Sequence, residues 1–352
     1  MNLTVNQLPS RTWNHLRMNE TILSLEETYE NYSPIAQYDP EEISWDPDAS
    51  VSSGVLLGEL EPVLTNAKQG RGETRPGVTM KKPLVLSYEY DPCSHAASRV
   101  VLHAGENSRL QALLVLSSKE EGRTDSVLET RIYADDNAVV DLYVVELLGS
   151  RDRCLNSILG LCGKNAHINL VKLELGAKEI YSGVRMDLKG AEACFHSETG
   201  YHVLPGQVLD MNYVALHYGK NTNSQMEVNG TLEEGGKKIF RGTIDFQQGC
   251  AGAKAAENEN VMLMGDEMVN QTIPVILCKE EDVEGSHGAS IGQLDEKVLF
   301  YLASRGISRE SAQAMIAQAR IDAICEKIPV AAVADRVREF QKIRGTCYGE
   351  EL

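Results

Sequence analysis

One histidine stands in an open stretch of small residues late in the chain. His287 is flanked by Gly285, Ser286 and Gly288, so another molecule could approach its imidazole closely. An imidazole is a borderline ligand that suits iron, zinc or copper. A lone histidine in a loop is more often a surface or hydrogen-bonding residue, and one ligand cannot build a metal site. The spacing predicts a Gly- and Ser-rich turn and leaves both roles of His287 open.

Two cysteines shortly before this histidine are further candidate ligands. Cys250 lies in the segment QGCAG and Cys278 in ILCK, and a thiolate is the usual ligand of an iron–sulfur cluster. Each is also explained as a small core residue. Eight cysteines in 352 residues, without a CxxC pair, are too few for a disulfide framework, so we expect reduced thiols.

Paired acids offer a different chemistry. Asp135 and Asp136 resemble the carboxylates that β-helix polysaccharide lyases use for calcium binding or catalysis, although the chemistry of a repeated turn also explains them. No Walker A motif, GxGxxG segment or HExxH motif marks a self-contained enzyme. The remaining acidic residues near the histidine predict a solvated acidic face: Glu257, Glu259, Glu280, Glu281, Asp282 and Glu284.

Net charge limits the partners. A formal charge of −17 would repel a phosphate backbone, and no cluster of Lys and Arg is long enough to overcome it, which argues against nucleic acid and anionic membranes. No run of about 18 apolar residues predicts a membrane-spanning helix, and the N-terminus lacks a signal-peptide pattern. We therefore expect a cytoplasmic protein with protein partners.

The elements that position these residues change along the chain. From residue 83 to 285, short Val-, Leu- and Ile-rich segments alternate with period two. A turn signal recurs between them, and its asparagines Asn107, Asn137 and Asn165 are 30 and 28 residues apart. A turn residue able to adopt positive φ at a near-constant interval predicts a parallel β-helix, with a β-sandwich as the alternative.

The segments on either side of the β region look different. Residues 1–82 predict helical fragments broken by prolines, in a loosely built cap anchored by Trp13 and Trp45. Within it, 68–80 is polar and Gly-rich and predicts a linker or mobile loop. Residues 286–352 predict three short helices, the second capped by Ser308, that cover the open end of the solenoid or offer a groove to a partner.

A resemblance covers essentially the whole chain. The segment from Gly285 to Glu296 reads GSHGASIGQLDE and is followed by LFYL at 299–302 and SRGI at 304–307. Near the N-terminus, residues 12–16 read TWNHL. These segments resemble the signatures of the SufB/SufD family of iron–sulfur cluster assembly proteins, with the SHGA pattern nearest to SufD.

The resemblance implies a right-handed parallel β-helix with a C-terminal helical domain, and a non-catalytic scaffold that pairs with a SufB-like paralogue. A SufC-type ABC ATPase would dock on the C-terminal helices and hydrolyse the ATP. His287 would contribute at the subunit interface to a transient iron–sulfur cluster shared with the partner. A homodimer acting as a minimal SufB-like scaffold stays open.

The resemblance also indicates one absent cluster ligand and a set of residues that would bind a partner. Many family members carry a cysteine where Gly285 stands, so that ligand is absent, and whether Cys250 or Cys278 replaces it is open. The apolar residues of the first two C-terminal helices are the candidate partner-binding set: Leu294, Val298, Leu299, Leu302, Met315 and Ile316.

Overall fold

The chain is described by a computed structural model over residues 1–12, 14–50, 56–65, 67–119 and 122–347, with side chains to residue 343. Trp13, one of the two predicted anchors, lies outside the described residues. None of the described helices is long and apolar enough to cross a bilayer.

Alternating apolar residues form a solenoid of about eight turns in which each turn adds one strand to each of two sheets. The ten-stranded sheet contains β3 (Glu30–Asn31), β5 (Ser44–Ala49), β6 (Gln69–Thr74), β8 (His95–Ala104), β10 (Asp125–Ala134), β12 (Arg153–Cys162), β14 (Glu179–Leu188), β16 (Val208–His217), β18 (Lys237–Phe246) and β20 (Val269–Cys278). The nine-stranded sheet contains β4 (Ile35–Gln37), β7 (Leu84–Tyr90), β9 (Arg109–Ser118), β11 (Val139–Leu148), β13 (His167–Gly176), β15 (Cys194–Val203), β17 (Asn223–Glu233), β19 (Ala253–Met264) and β21 (Val283–Gln293).

Neighbouring strands from β6 to β21 pair in parallel. The offset between successive coils ranges from 26 residues, with Glu179 opposite Arg153, to 32, with Val269 opposite Lys237. This architecture confirms the predicted parallel β-helix. Inward side chains of both sheets fill the space between them, here called the bore, with one continuous apolar core.

The repeated turns adopt the backbone conformation that the sequence predicts. The four turn asparagines have positive φ, and Asn165 donates a side-chain hydrogen bond of 3.0 Å to Asn137 of the preceding coil. Asparagine tolerates the left-handed region better than most residues. The turns therefore stack as a ladder, and they are centred on Asn107 (φ 56°), Asn137 (59°), Asn165 (52°) and Asn221 (56°).

The N-terminal region corrects two predictions. Its described residues contain β1 (Asn2–Val5) and β2 (Thr21–Ser24) as an antiparallel pair, besides β3 to β6, and their helical structure is limited to a 3₁₀ turn at Asn14–Leu16 and the short helix α1 (Glu61–Leu64). The predicted helical fragments are wrong because closely spaced prolines leave room only for short extended segments. The predicted linker at 68–80 is also wrong, since β6 pairs there with β8.

This region is also anchored more firmly than a loose cap. Leu3 and Leu64 pack against Leu155 on the outer face of the ten-stranded sheet. Farther along that face, the buried Arg241 pairs with Asp210 and donates a 2.7 Å hydrogen bond to the carbonyl of Met18 in the N-terminal region. Breaking a buried ion pair of this kind costs about 3–5 kcal/mol.

The C-terminal helices lie on the side of the solenoid. Helices α2 (Glu296–Ser304), α3 (Arg309–Cys325) and α4 (Ala331–Cys347) follow β21. Ile321 and Val337 pack against Leu147 and Leu173 on the outer face of the nine-stranded sheet. The prediction that these helices cover the open end is wrong, because strands with apolar residues on both faces need an outer cover. The predicted Ser308 cap is confirmed by its acceptance of a hydrogen bond from the backbone of Ser311.

Candidate functional site

His287 lies in the middle of an edge strand. β21 pairs in parallel with β19, from Val283 opposite Ala253 to Gln293 opposite Leu263. The predicted turn is therefore wrong: small residues are also tolerated in a strand when its register is fixed by a neighbour. The last strand of the sheet consequently holds the candidate ligand at the C-terminal end of the solenoid.

The imidazole is on the strand face that lines the bore. His287 lies opposite Glu257, and Ala255 and Val261, at the same parity of β19, belong to the apolar core. Side chains of paired residues on parallel strands share a face of the sheet. His287 is exposed because β21 is the last strand of its sheet.

Beneath His287 is a buried carboxylate. Glu257 is 2% exposed, and its Oε2 atom has no hydrogen-bond partner. Burial, together with the charge of Glu259, raises the pKa of Glu257 to about 8. A Cβ at Gly242 would collide with this carboxylate, so the absence of a side chain there makes room for it.

The neighbouring acid is fully satisfied. Glu259 forms a buried ion pair with Lys238 and accepts a hydrogen bond of 2.6 Å from the hydroxyl of Thr272. Glu257 and Glu259 were both predicted to lie on a solvated acidic face, and that prediction is wrong. They occupy the inward positions of β19, at the same parity as Ala255. This alternation is the sequence signal that would have found them.

The two candidate cysteines lie at a different corner of the bore. Cys278 is exposed at the end of β20, and its thiol donates a 3.0 Å hydrogen bond to the carbonyl of Glu280. Cys250 is buried, and burial raises the pKa of its thiol. His287 is four residues into β21, about 13 Å along the strand from its start. Within the described ranges, no group of three or more His, Cys, Asp or Glu side chains could hold a metal ion.

An aromatic ring lies where a side chain at the position two residues before the histidine would project. A Cβ at Gly285 would lie 2.9 Å from Phe246 Cε2 and 3.5 Å from Ile276 Cδ1. The first distance is shorter than real Cβ contacts allow. The Phe246 ring therefore takes up space that a side chain at position 285 would need.

The sequence of the edge strand that carries His287 lacks the features that oppose strand pairing. β21 has eleven residues, lacks proline, and carries no charged residue after Glu284 other than the titratable His287 itself. Proteins usually protect such edges with charges, prolines or a covering segment. Within the part of the chain that the structure describes, no strand pairs with the outer side of β21.

Comparison with known families decides what this arrangement belongs to. The sequence matches the family described as "SUF system FeS cluster assembly, SufBD core domain" over residues 88–320, which is more than half of the chain. The chain belongs to the SufBD family. This confirms the resemblance to SufB and SufD, and the match lies within the solenoid and its first helices.

Curated relatives place this SufBD-family protein near SufD. "Iron-sulfur cluster assembly protein SufD" of Bacillus subtilis (strain 168) is 27% identical over 118 residues, 34% of this chain and 27% of the relative. SufBD family proteins of Staphylococcus saprophyticus and Staphylococcus aureus (strain USA300) are each 30% identical over 138 residues, 39% of this chain and 30% of the relative. The matched segment spans less than a third of the length of these relatives.

The helical surface of the SufBD-family protein differs from the predicted partner-binding set. Leu299 is buried, and Leu294 and Ile316 pack against methionines of β19. Two aromatic residues outside the predicted set are strongly exposed, Phe300 at 77% and Tyr301 at 55%. They lie next to the apolar face of α2, at positions where helical periodicity predicts polar residues. Leu302 is half-buried, whereas Val298 and Met315 are exposed.

The paired acids of the enzyme alternative are occupied by structural contacts. Asp135 lies 3.0 Å from His103 Nε2, and Asp136 accepts a 2.7 Å hydrogen bond from the backbone of Lys164. Both contacts join successive coils. These contacts favour the turn explanation for Asp135 and Asp136.

Proposed function

We propose that this SufBD-family protein is a scaffold subunit of the SUF assembly complex, whose C-terminal solenoid end pairs with a SufB-like sister chain. The observation that carries the proposal is the unprotected strand β21 with His287 at its centre. Main-chain hydrogen bonds across such an edge supply affinity in β-augmentation. Pairing there extends the nine-stranded sheet into the partner.

In this proposal His287 is one ligand of a nascent iron–sulfur cluster, which is cargo of the complex. An exposed imidazole fits this role because its ring nitrogens are accessible to iron held by another chain. Thiolates are the usual cluster ligands, and the partner supplies them at the interface. Cys278, which is exposed, is the better second candidate from this chain, and Cys250 is disfavoured by burial of its thiol.

A SufC-type ATPase docks on the C-terminal helices in the same proposal, and ATP is hydrolysed on that partner. The supporting feature is the exposed aromatic pair Phe300 and Tyr301, with Val298 and Met315 also exposed on α2 and α3. Aromatic residues are enriched among the residues that dominate binding energy at interfaces. This face lies beside β21, so both partners contact neighbouring parts of the chain.

The test is anaerobic co-expression with the SufB-like and SufC-type chains encoded in the same genome. His287→Ala should leave the complex assembled but lower its iron and sulfide, whereas the control His196→Ala, an exposed histidine on β15, should not. Unchanged iron and sulfide in the His287→Ala complex would reject the ligand role.

A second arm tests docking of the ATPase. Deleting residues 294–343, or combining Phe300→Ala with Tyr301→Ala, should release the ATPase, while Ile22→Ala at an exposed N-terminal position should retain it. Light scattering of the purified assembly distinguishes a heterodimer from a homodimeric minimal scaffold. A chain that stays monomeric with every partner would reject the scaffold proposal.

A further inference from the structure

We propose that Glu257 is a second metal ligand, which binds a first-row divalent cation together with His287 at the C-terminal end of the bore. This inference rests on the proposed function, because it takes iron to be the cation. It adds to that function a ligand in the neighbouring strand of the same chain.

The first support is register. Glu257 and His287 are opposite each other on adjacent parallel strands, and such strands lie about 4.8 Å apart. Both side chains are on the bore face, as the core residues Ala255 and Val261 of β19 show. This spacing is short enough for a carboxylate oxygen and an imidazole nitrogen on paired residues to bind one cation.

The second support is the unpaired oxygen. Glu257 is only 2% exposed, and its Oε2 atom has no hydrogen-bond partner among the described residues. A buried carboxylate without a partner is destabilising, and a bound cation would offset that cost. Glu259, two residues along, has no such vacancy, because Lys238 and Thr272 already pair with it.

The third support is the shape of the surroundings. Gly242 faces the Glu257 carboxylate from the opposite sheet, and any side chain there would displace it. Below Glu257 in the same row of the nine-stranded sheet lies Met226, fully buried, which closes the bore toward the interior. A cation at Glu257 is therefore approached from the open end, where His287 stands.

The donor set indicates the class of cation. One carboxylate oxygen and one imidazole nitrogen suit Fe²⁺ and its first-row neighbours. Two protein ligands leave several coordination positions open. A ligand from a pairing chain, or sulfide, would fill them, consistent with the lack of a three-ligand group within the described residues.

The test is anaerobic Fe²⁺ titration of the full-length chain in competition with a ferrous chelator, with Co²⁺ as a spectroscopic probe. Glu257→Gln and His287→Ala should each weaken Fe²⁺ binding at least ~10-fold and change the Co²⁺ ligand-field spectrum. The matched control is Glu146→Gln. Glu146 is also buried with an unpartnered Oε2, although its Oε1 accepts a 2.6 Å hydrogen bond from Asn156, and it lies four strands farther from the end, on β11.

The outcomes separate this inference from the proposed function. If His287→Ala weakens binding and Glu257→Gln does not, the second ligand is rejected and the role of His287 stands. If neither variant changes binding, both are rejected. An equal loss in Glu146→Gln would show a general effect on the fold and would overturn the assignment of Glu257, whereas loss in the first two variants alone supports it.

Discussion

At its N-terminal end the solenoid is closed by two antiparallel strands, whereas at its C-terminal end no described strand pairs with the outer edges of the last two parallel strands, β20 and β21. β4 and β5 run antiparallel to β7 and β6 and stop the coil. The ring of Trp45 lies directly over Gly70, and Ile43 is 2% exposed. At the other end Ile291 is 47% exposed. The same type of side chain is core at one end and surface at the other.

The outer edges differ in the same way. β5 reads SWDPDA, so its edge carries Asp46, Pro47 and Asp48. Charges and proline on an edge strand oppose pairing with another chain. β21, which reads VEGSHGASIGQ, has neither after its second residue. The edge of β5 thus carries features that oppose association with another chain, and the edge of β21 lacks them.

The largest expected effect compares isoleucines at the two ends. Ile43→Ala should lower the free energy of unfolding by about 2–5 kcal/mol because it removes buried apolar volume from the N-terminal cap. Ile291→Ala should cost about 0.5 kcal/mol or less in the isolated chain. Urea denaturation of both variants measures the difference. Similar losses at the two positions would show that the C-terminal end is covered in solution.

A smaller effect concerns two glycines of the same edge strand. Gly285→Cys should destabilise the isolated chain by about 1–3 kcal/mol, because its Cβ meets Phe246. Gly292→Cys should be nearly neutral, since nothing lies within 4 Å of a Cβ there. Adding Phe246→Leu should make the loss in the double variant smaller than the sum of the single losses. Equal effects at both glycines would contradict the packing at position 285.

A third stability effect is a pH dependence. Burial beside Glu259 raises the pKa of Glu257 from 4.5 to about 8. Between these values the folded chain holds a proton that the unfolded chain has released, so this group's contribution to stability falls as pH rises through that window. The slope reaches at most about 1.4 kcal/mol per pH unit. The other charged or titratable groups facing Glu257 are Lys238 and His287.

Glu257→Gln, which has the shape of the protonated acid, should remove that component. The measurement is the free energy of unfolding of the metal-free full-length chain at pH 5 to 8, taken as wild type minus variant. Parallel curves for the two proteins would contradict the burial of an unpaired carboxylate under the C-terminal edge.

Much of the solenoid can be predicted from local sequence patterns. Period-two alternation and the spaced asparagines predict the coils, because each turn needs positive φ and each strand must bury one face. The structure has Asn107, Asn137 and Asn165 in that conformation. The cap of α3 is equally local, since Ser308 needs only a backbone N–H three residues away.

The rest of the fold could not be predicted locally, because the conformation of these segments depends on which strand they pair with. β6 has a polar, Gly-rich sequence but is a strand because β8 pairs with it, and β21 is extended because β19 fixes its register. Glutamate is a residue type usually found at the surface, but Glu257 is buried. The alternation of β19 predicts that its side chain points inward. Its lack of a partner could not be predicted, because it depends on Lys238, which comes from the opposite sheet and pairs with Glu259 instead.

The most direct test places one lysine on each end of the solenoid. Ala289→Lys puts a charge on the exposed bore face of β21, and Ile35→Lys does the same on β4, where Ile35 is already exposed. Affinity for the SufB-like chain, and self-association, are measured by analytical ultracentrifugation. The account predicts at least ~10-fold weaker association for Ala289→Lys, about 1.4 kcal/mol, and no change for Ile35→Lys. Unchanged association of Ala289→Lys, or a loss confined to Ile35→Lys, would contradict the assignment of the C-terminal edge as the interface.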